Sequence, residues 1–150
     1  MATITKNQDN RREFIDSLIE LAEKDDKIVF IIPDVGFNYA ETFQQKFPDR
    51  FFNFGVTEEA TVLIACGLAL AGYKPYVYSM RNFVLFRPFE MVRNGIVCHQ
   101  ANVKLLGVKG SAAYKFLGFS HNLLYEDEDI DICKTIGLRW FKPKSTKMVK

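Results

Sequence analysis

Phe51-Phe52-Asn53-Phe54-Gly55-Val56-Thr57-Glu58-Glu59, running on through Ala60-Thr61-Val62-Leu63-Ile64-Ala65-Cys66-Gly67-Leu68-Ala69-Leu70-Ala71 to Gly72, is the stretch on which the fold turns. Its opening aromatic run reads as a strand over residues 51–54 that leads into Gly55. Residues 58–71 are apolar at helical length, Thr57 is placed to cap their first turn, and Gly72 stands where a helix C-terminus favours glycine. The pattern predicts a short strand, a glycine turn and a largely buried helix.

Moving outward, the same alternation recurs on both sides. Upstream, residues 40–46 read as a short helix ended near Pro48, and Ile28–Ile32 is a continuous apolar run of buried-strand type. Before it, residues 11–24 carry Phe14, Ile15, Leu18, Leu21 and Ala22 at helical spacing. Downstream, strands are expected at 74–80, 103–108 and 138–141, with helices at 86–100 and 126–135. The loop between Gly110 and Tyr125 holds Ser111, Gly118, Ser120 and His121. Strands alternating with helices predict an α/β fold, a parallel sheet with helices on both faces. Such sheets place ligands beyond the carboxyl ends of their strands, where loops on a rigid scaffold concentrate function.

Composition agrees with one globular domain. The 150 residues are 48% hydrophobic, with 14 Phe and 25% charged residues, and a compact domain of this size buries roughly 68–70% of its unfolded surface. Lys and Arg outnumber Asp and Glu by only 20 to 18, which gives no basic footprint for nucleic acid. Cys66, Cys98 and Cys133 are widely spaced among apolar residues, form neither a disulfide framework nor a zinc knuckle, and fit a reducing, cytoplasmic setting. No apolar run has the length of a membrane span or the flanks of a secretory signal. Residues 1–10 read as a polar N-terminal tail and residues 11–150 as the domain. Pro143 and Ser145 are helix-start signals, so the domain is expected to stop inside an element.

Read as a block, Phe47-Pro48-Asp49-Arg50-Phe51-Phe52-Asn53-Phe54-Gly55-Val56-Thr57-Glu58-Glu59 resembles the transketolase-family pattern in which a Phe-Pro-x-Arg-Phe strand leads into Gly-Ile-x-Glu. The similarity continues through Ile64-Ala65-Cys66-Gly67-Leu68-Ala69, Gly72 and Pro75, then Asn82-Phe83 and Arg87, then Gly118-x-Ser120-His121. This ordered series is similar to the pyrimidine-binding (Pyr) domain of transketolases and 1-deoxyxylulose-phosphate synthases, a thiamin-diphosphate-binding fold. The resemblance implies ketol transfer between small sugars or sugar phosphates with thiamin diphosphate and Mg²⁺.

Thiamin chemistry needs a carboxyl group that exchanges a proton with N1′ of the aminopyrimidine, so that the cofactor's own 4′-amino group can act as base. By the resemblance that carboxyl is Glu58. On spacing alone Glu59 would serve equally as a first-turn acid, and only the register of the motif selects Glu58. An apolar surrounding would favour a shared proton on Glu58, while the helix N-terminus works the other way. A flat pyrimidine needs an aromatic platform. Phe83 and Phe86 are the candidates, with Met80 where relatives often carry another Phe.

His121 resembles the family histidine that contacts the sugar and helps to move protons at its carbonyl. Asp34 looks like the acid near the thiazolium and the subunit contact, and Arg11 like an arginine that grips a substrate phosphate. Where transketolases carry an Asp for a substrate hydroxyl this sequence has Leu117, after the run Ala112-Ala113-Tyr114-Lys115-Phe116. An altered substrate preference is the expectation.

The family's Gly-Asp-Gly diphosphate and metal segment does not occur in the sequence. The resemblance therefore implies a PP-domain partner chain that holds Mg²⁺ and diphosphate, within a homo-oligomer or heterotetramer, and no metal ligand in this chain. A start at Met1 close to the first helix raises the expectation of a separately encoded C-terminal section or an excised domain. Two other readings stay open: a β-chain of a 2-oxoacid dehydrogenase, and a non-catalytic α/β module that kept the fold and lost the site.

Overall fold

The computed structural model describes residues 10–108 and 112–142. Four parallel strands, β1 (Ile28–Ile32), β2 (Phe51–Asn53), β3 (Lys74–Met80) and β4 (Lys104–Val108), form one sheet in the order β2-β1-β3-β4. The continuous apolar run of β1 follows from this position: with neighbours on both edges and cover on both faces, every one of its residues is buried.

Alternation along β1 divides the interior in two. Val29 and Ile31 point to one face, where Val62 and Ala65 of α3 (Glu58–Leu70), Val77 of β3, and Val84, Leu85, Val92 and Ile96 meet them. Ile28, Phe30 and Ile32 point to the other, against Ile15, Leu18 and Ala22 of α1 (Asn10–Ala22) and Phe43 of α2 (Glu41–Lys46). There Phe30 and Phe43, both fully buried, meet edge to face at 5.2 Å. Truncating a side chain packed this way costs about 3–5 kcal/mol, so this cluster fixes α1 and α2 on the sheet.

The helical region expected over residues 86–100 starts earlier and is not one regular helix. Asn82–Phe86 and Val92–Val97 are wide-turned π segments on either side of a short α4 (Phe89–Met91). Arg87 N donates to Asn82 O at 2.9 Å and Cys98 N to Arg93 O at 3.1 Å, each five residues back. Pro88 accounts for the break, because it has no N–H to continue a ladder and its ring crowds the preceding turn.

Three further expectations are corrected. Residues 138–141 form no strand: Gly137 adopts a left-handed φ of 74° after α5 (Glu128–Ile136), and Leu138 N is used to donate to Cys133 O at 2.9 Å. The chain ends that helix in a glycine cap instead of entering a sheet. Secondly, α3 is buried on one face only, since Leu63, Ile64 and Leu70 are 48%, 40% and 60% exposed. Thirdly, the loop before Tyr125 is wound into short 3₁₀ turns over Ala112–Ser120, broken at Gly118. Gly110, Ser111, Pro143, Ser145 and residues 1–9 lie outside the described residues.

Candidate functional site

β1 and β2 end side by side, with Ile32 paired to Asn53. Asn53 then stitches the two following loops together. Its Oδ1 accepts from Asp34 N and from Gly55 N, each at 3.0 Å, and its Nδ2 reaches Asp34 Oδ1 at 3.5 Å. Gly55 takes a φ of 69°, a left-handed turn that disfavours a side chain. The turn closes with Thr57 N donating to Gly55 O at 2.8 Å, and α3 begins at once. Thr57 does not cap that helix as expected: its hydroxyl donates back to Phe54 O at 2.9 Å, so it braces the turn. The first N–H groups of α3 are left without a side-chain partner from Thr57, in a field that favours an anion.

Glu58 is the first residue of α3 and is only 5% exposed, whereas its neighbour Glu59 is exposed. A carboxylate this deep needs a partner. It has one in Arg87, whose Nη1 donates to Glu58 Oε1 at 2.5 Å and whose side chain is 42% exposed. The same guanidinium lies over the ring of Phe83, 4.2 Å from its centroid. Phe83 in turn meets His121 edge to face at 4.9 Å, and His121 stacks nearly parallel to Tyr114 at 6.2 Å. Glu58, Arg87, Phe83, His121 and Tyr114 thus form one contiguous row.

Polar clips hold the His121 loop onto this row. Asn82 Nδ2 donates to Phe119 O and Asn122 O, both at 3.2 Å, and Asn122 Nδ2 donates to Tyr114 O at 3.1 Å and Gly118 O at 2.8 Å. Arg81 pairs with Asp129 at 3.2 Å and fastens the head of α5 to the end of β3. Ser120 Oγ donates to Leu117 O at 2.8 Å and lies 2.7 Å from His121 Nδ1. When its one proton goes to Leu117 O, Oγ is left to accept from Nδ1–H, which is the tautomer that leaves a lone pair on Nε2.

Of the residues singled out from sequence, Glu58, Phe83 and His121 are brought into this row. Asp34 lies on the same edge, tied to Asn53, in a left-handed conformation with φ 55°. Phe86 is half-buried and packs against the core beside α3, and Met80 is 4% exposed at the end of β3. Arg11 stands apart, its guanidinium 4.4 Å from the ring centre of Tyr39 on the α1 side of the sheet. Leu117 is half-buried within the loop.

Sequence reasoning gave no role to Arg87, Asn82, Asn53 or Tyr114. Asn53, Asn82 and Arg87 lay inside the resembling blocks, and that was their only signal. Cys66 and Cys133 are no candidates for nucleophiles, since burial pushes both thiols up and Cys66 Sγ donates to Gly95 O at 2.9 Å.

A buried carboxyl oxygen beside an aromatic face suits a flat ring that presents an N–H to the carboxyl and its π face to the phenyl, as an aminopyrimidine does. Among the described residues, no group of three or more His, Cys, Asp or Glu could hold a metal ion. Among them, too, no helix is long and apolar enough to cross a membrane.

Comparison with known proteins shows the family. The chain is 36% identical over 126 residues to a subunit of the apulose-4-phosphate transketolase of Phocaeicola vulgatus, covering 83% of this chain and 39% of that protein. It is 28% identical over 142 residues to the 6-deoxy-6-sulfo-D-fructose transketolase subunit SqwH of Clostridium sp. strain MSTE9, covering 93% and 43%. A solved structure described as a split gene transketolase, inactive beta4 tetramer, superposes with a TM-score of 0.69 at 30% identity over 82% of this chain and 38% of that one. The chain therefore spans about two fifths of the length of these two relatives. The family model for the pyrimidine-binding domain of transketolase matches residues 6–133, and the chain belongs to that family.

Proposed function

We propose that this chain is the pyrimidine-binding half of a thiamin-diphosphate-dependent, transketolase-like enzyme that moves a two-carbon ketol unit between small sugars or sugar phosphates. A PP-domain chain would hold the diphosphate and Mg²⁺, so that activity belongs to an assembly, a homo-oligomer or heterotetramer. The observation that carries this reading is Glu58: a carboxyl 5% exposed at the head of α3, one guanidinium away from the face of Phe83. Free thiols at Cys66, Cys98 and Cys133 fit a reducing, cytoplasmic setting.

Thiamin diphosphate, when bound, supplies the carbon nucleophile of ketol transfer, which no side chain can provide. Everything else falls to the chain. Glu58 holds or yields a proton at its carboxyl oxygen toward the pyrimidine ring nitrogen. Phe83 stacks on the ring and excludes water from one side. His121 turns its Nε2 lone pair toward the substrate to receive a hydroxyl proton, with Nδ1 fixed by Ser120. Asp34, held by Asn53, supplies negative charge at the same edge. Arg11 is assigned no more than a peripheral contact with substrate phosphate, because it lies with Tyr39 on the α1 side of the sheet.

The test is Glu58→Ala in the assembled enzyme, with Glu58→Gln beside it. Loss of a positioned acid–base group costs about 10²–10⁴-fold in turnover, with far-UV circular dichroism unchanged, since the exposed side of Arg87 can be rehydrated. Near-normal ketol transfer by Glu58→Ala would overturn the assignment. If calorimetric titration of thiamin diphosphate and Mg²⁺ into the unaltered assembly gave no heat, the non-catalytic module would be the better description.

A further inference from the structure

Arg87 is the residue around which the site is arranged, and its geometry is that of a ligand. A guanidinium is planar, cationic and rich in N–H donors. Here it does two things at once: it donates Nη1–H to Glu58 Oε1 at 2.5 Å and it lies over Phe83 at 4.2 Å from the ring centre. A protonated aminopyrimidine would make the same pair of contacts, an N–H to the carboxyl and a π face to the phenyl. Both cannot be made together, since Glu58 is 5% exposed and offers little surface to a second partner.

The tether also allows release. Arg87 follows the wide-turned segment Asn82–Phe86, its side chain is 42% exposed, and no ion pair other than that with Glu58 is formed by it among the described residues. Pro88 ends the regular ladder immediately after it. The guanidinium can therefore swing to water by side-chain rotation alone, with the backbone of α3 and the loop clips of Asn82 and Asn122 left in place.

We propose that Arg87 is an internal stand-in for the pyrimidine ring: in the chain without cofactor it fills the space between Glu58 and Phe83, and it must be displaced before the cofactor can seat. This rests on the functional reading above and adds a competitor to it. The stand-in keeps a buried carboxylate paired while the site waits, and it lowers apparent cofactor affinity by the fraction of time it occupies the cleft. A competitor in place in about nine molecules of ten weakens binding about tenfold.

The experiment measures thiamin diphosphate affinity by calorimetry at saturating Mg²⁺, in the enzyme assembled with its partner, for the native protein, Arg87→Gln and Arg87→Lys. Arg87→Gln, which removes the cation, is expected to bind about tenfold more tightly. Arg87→Lys keeps the ion pair without the planar stack and should fall between the two. A second readout is the side-chain NMR signal of labelled arginine: on adding cofactor, one guanidinium resonance should lose its slow exchange and move to the position of a solvated group. Equal or weaker binding by Arg87→Gln, in a protein whose circular dichroism is native, overturns the stand-in while leaving the cofactor reading intact. Absence of binding in all three proteins defeats that reading and the stand-in with it.

Discussion

Ser120 has one hydroxyl proton and two acceptors within reach, Leu117 O at 2.8 Å and His121 Nδ1 at 2.7 Å, and we assign the proton to Leu117 O. With that proton so placed, the nitrogen facing Ser120 Oγ at 2.7 Å is the donor, and Ser120 selects the tautomer of His121 from outside the substrate's reach. Ser120→Ala should free the ring to change tautomer and lower turnover about tenfold, less than the 10²–10⁴-fold typical of losing the acid–base group itself. The diagnostic is imidazole ¹⁵N shifts that report mixed tautomers, and unchanged shifts would deny Ser120 this positioning role. Glu58, Phe83 and His121 could be picked out from sequence because each sits in a short motif with fixed register, and the fold brings the three into one row. The Glu58–Arg87 contact was not, because it joins residues 29 apart and depends on two elements meeting over the same edge. Asn53 escaped for the opposite reason: an Asn at the end of a strand reads as turn chemistry, and only the folded chain shows it holding Asp34 and Gly55 together.

At the scale of elements, a continuous apolar run was readable, and the hydrogen bonds that compete for the ends of elements were not. The apolar run of Ile28–Ile32 admits hardly anything but a strand buried on both faces. Thr57 had the right identity for a cap but spends its hydroxyl on Phe54 O, and Leu138–Phe141 had strand-forming residues whose first amide is taken by Cys133 O. The attachment of α5 is likewise tertiary, through Arg81 and Asp129, whose side chains are 17% and 18% exposed. Breaking a pair between the fully exposed and fully buried limits should cost about 2 kcal/mol. Urea unfolding of Asp129→Ala tests that, and a change near zero would show α5 to be held by its apolar packing, Cys133, Ile132 and Ile136 included.

A second clamp joins the starts of β1 and β3, where Lys74 Nζ donates to Asp25 Oδ2 at 2.5 Å. The Lys74 bond, helped by Lys27 N, holds the Asp25 carboxyl below its ordinary 3.8, so the stability it adds is present above that pH and is lost as pH falls through the lowered value. Asp25→Asn should therefore melt slightly below the native protein at neutral pH. The gap should close in acid below about 3.8, and a gap that stayed constant would remove the linkage.

For the whole molecule, alternation of strands and helices was enough to give a parallel sheet covered on both faces, but not its strand order, which arises from long-range pairing. The helix α3 makes a related point about what one chain can satisfy. Its sequence is apolar around much of its circumference, the mark of a buried helix, yet Ile64 and Leu70 remain 40% and 60% exposed. At the carboxyl edge Phe37, Val56, Phe116 and Phe119 are 65–81% exposed as well. So much apolar surface beside the Glu58 row is what an enzyme completed by a partner chain would leave uncovered. Ile64 is the place to test this, because it lies on the outer face of α3, away from Val62 and Ala65 that pack on the sheet. Ile64→Glu should leave circular dichroism and the melting temperature of the separate chain unchanged or improved, since it removes exposed apolar surface there. In sedimentation velocity the same substitution should weaken assembly about 10–100-fold, as burying an unpaired carboxylate at a contact would, and ketol transfer should fall in proportion at limiting concentration. Native assembly and activity in Ile64→Glu would mean that α3 faces water in the working enzyme, and the shared-site reading would need another surface.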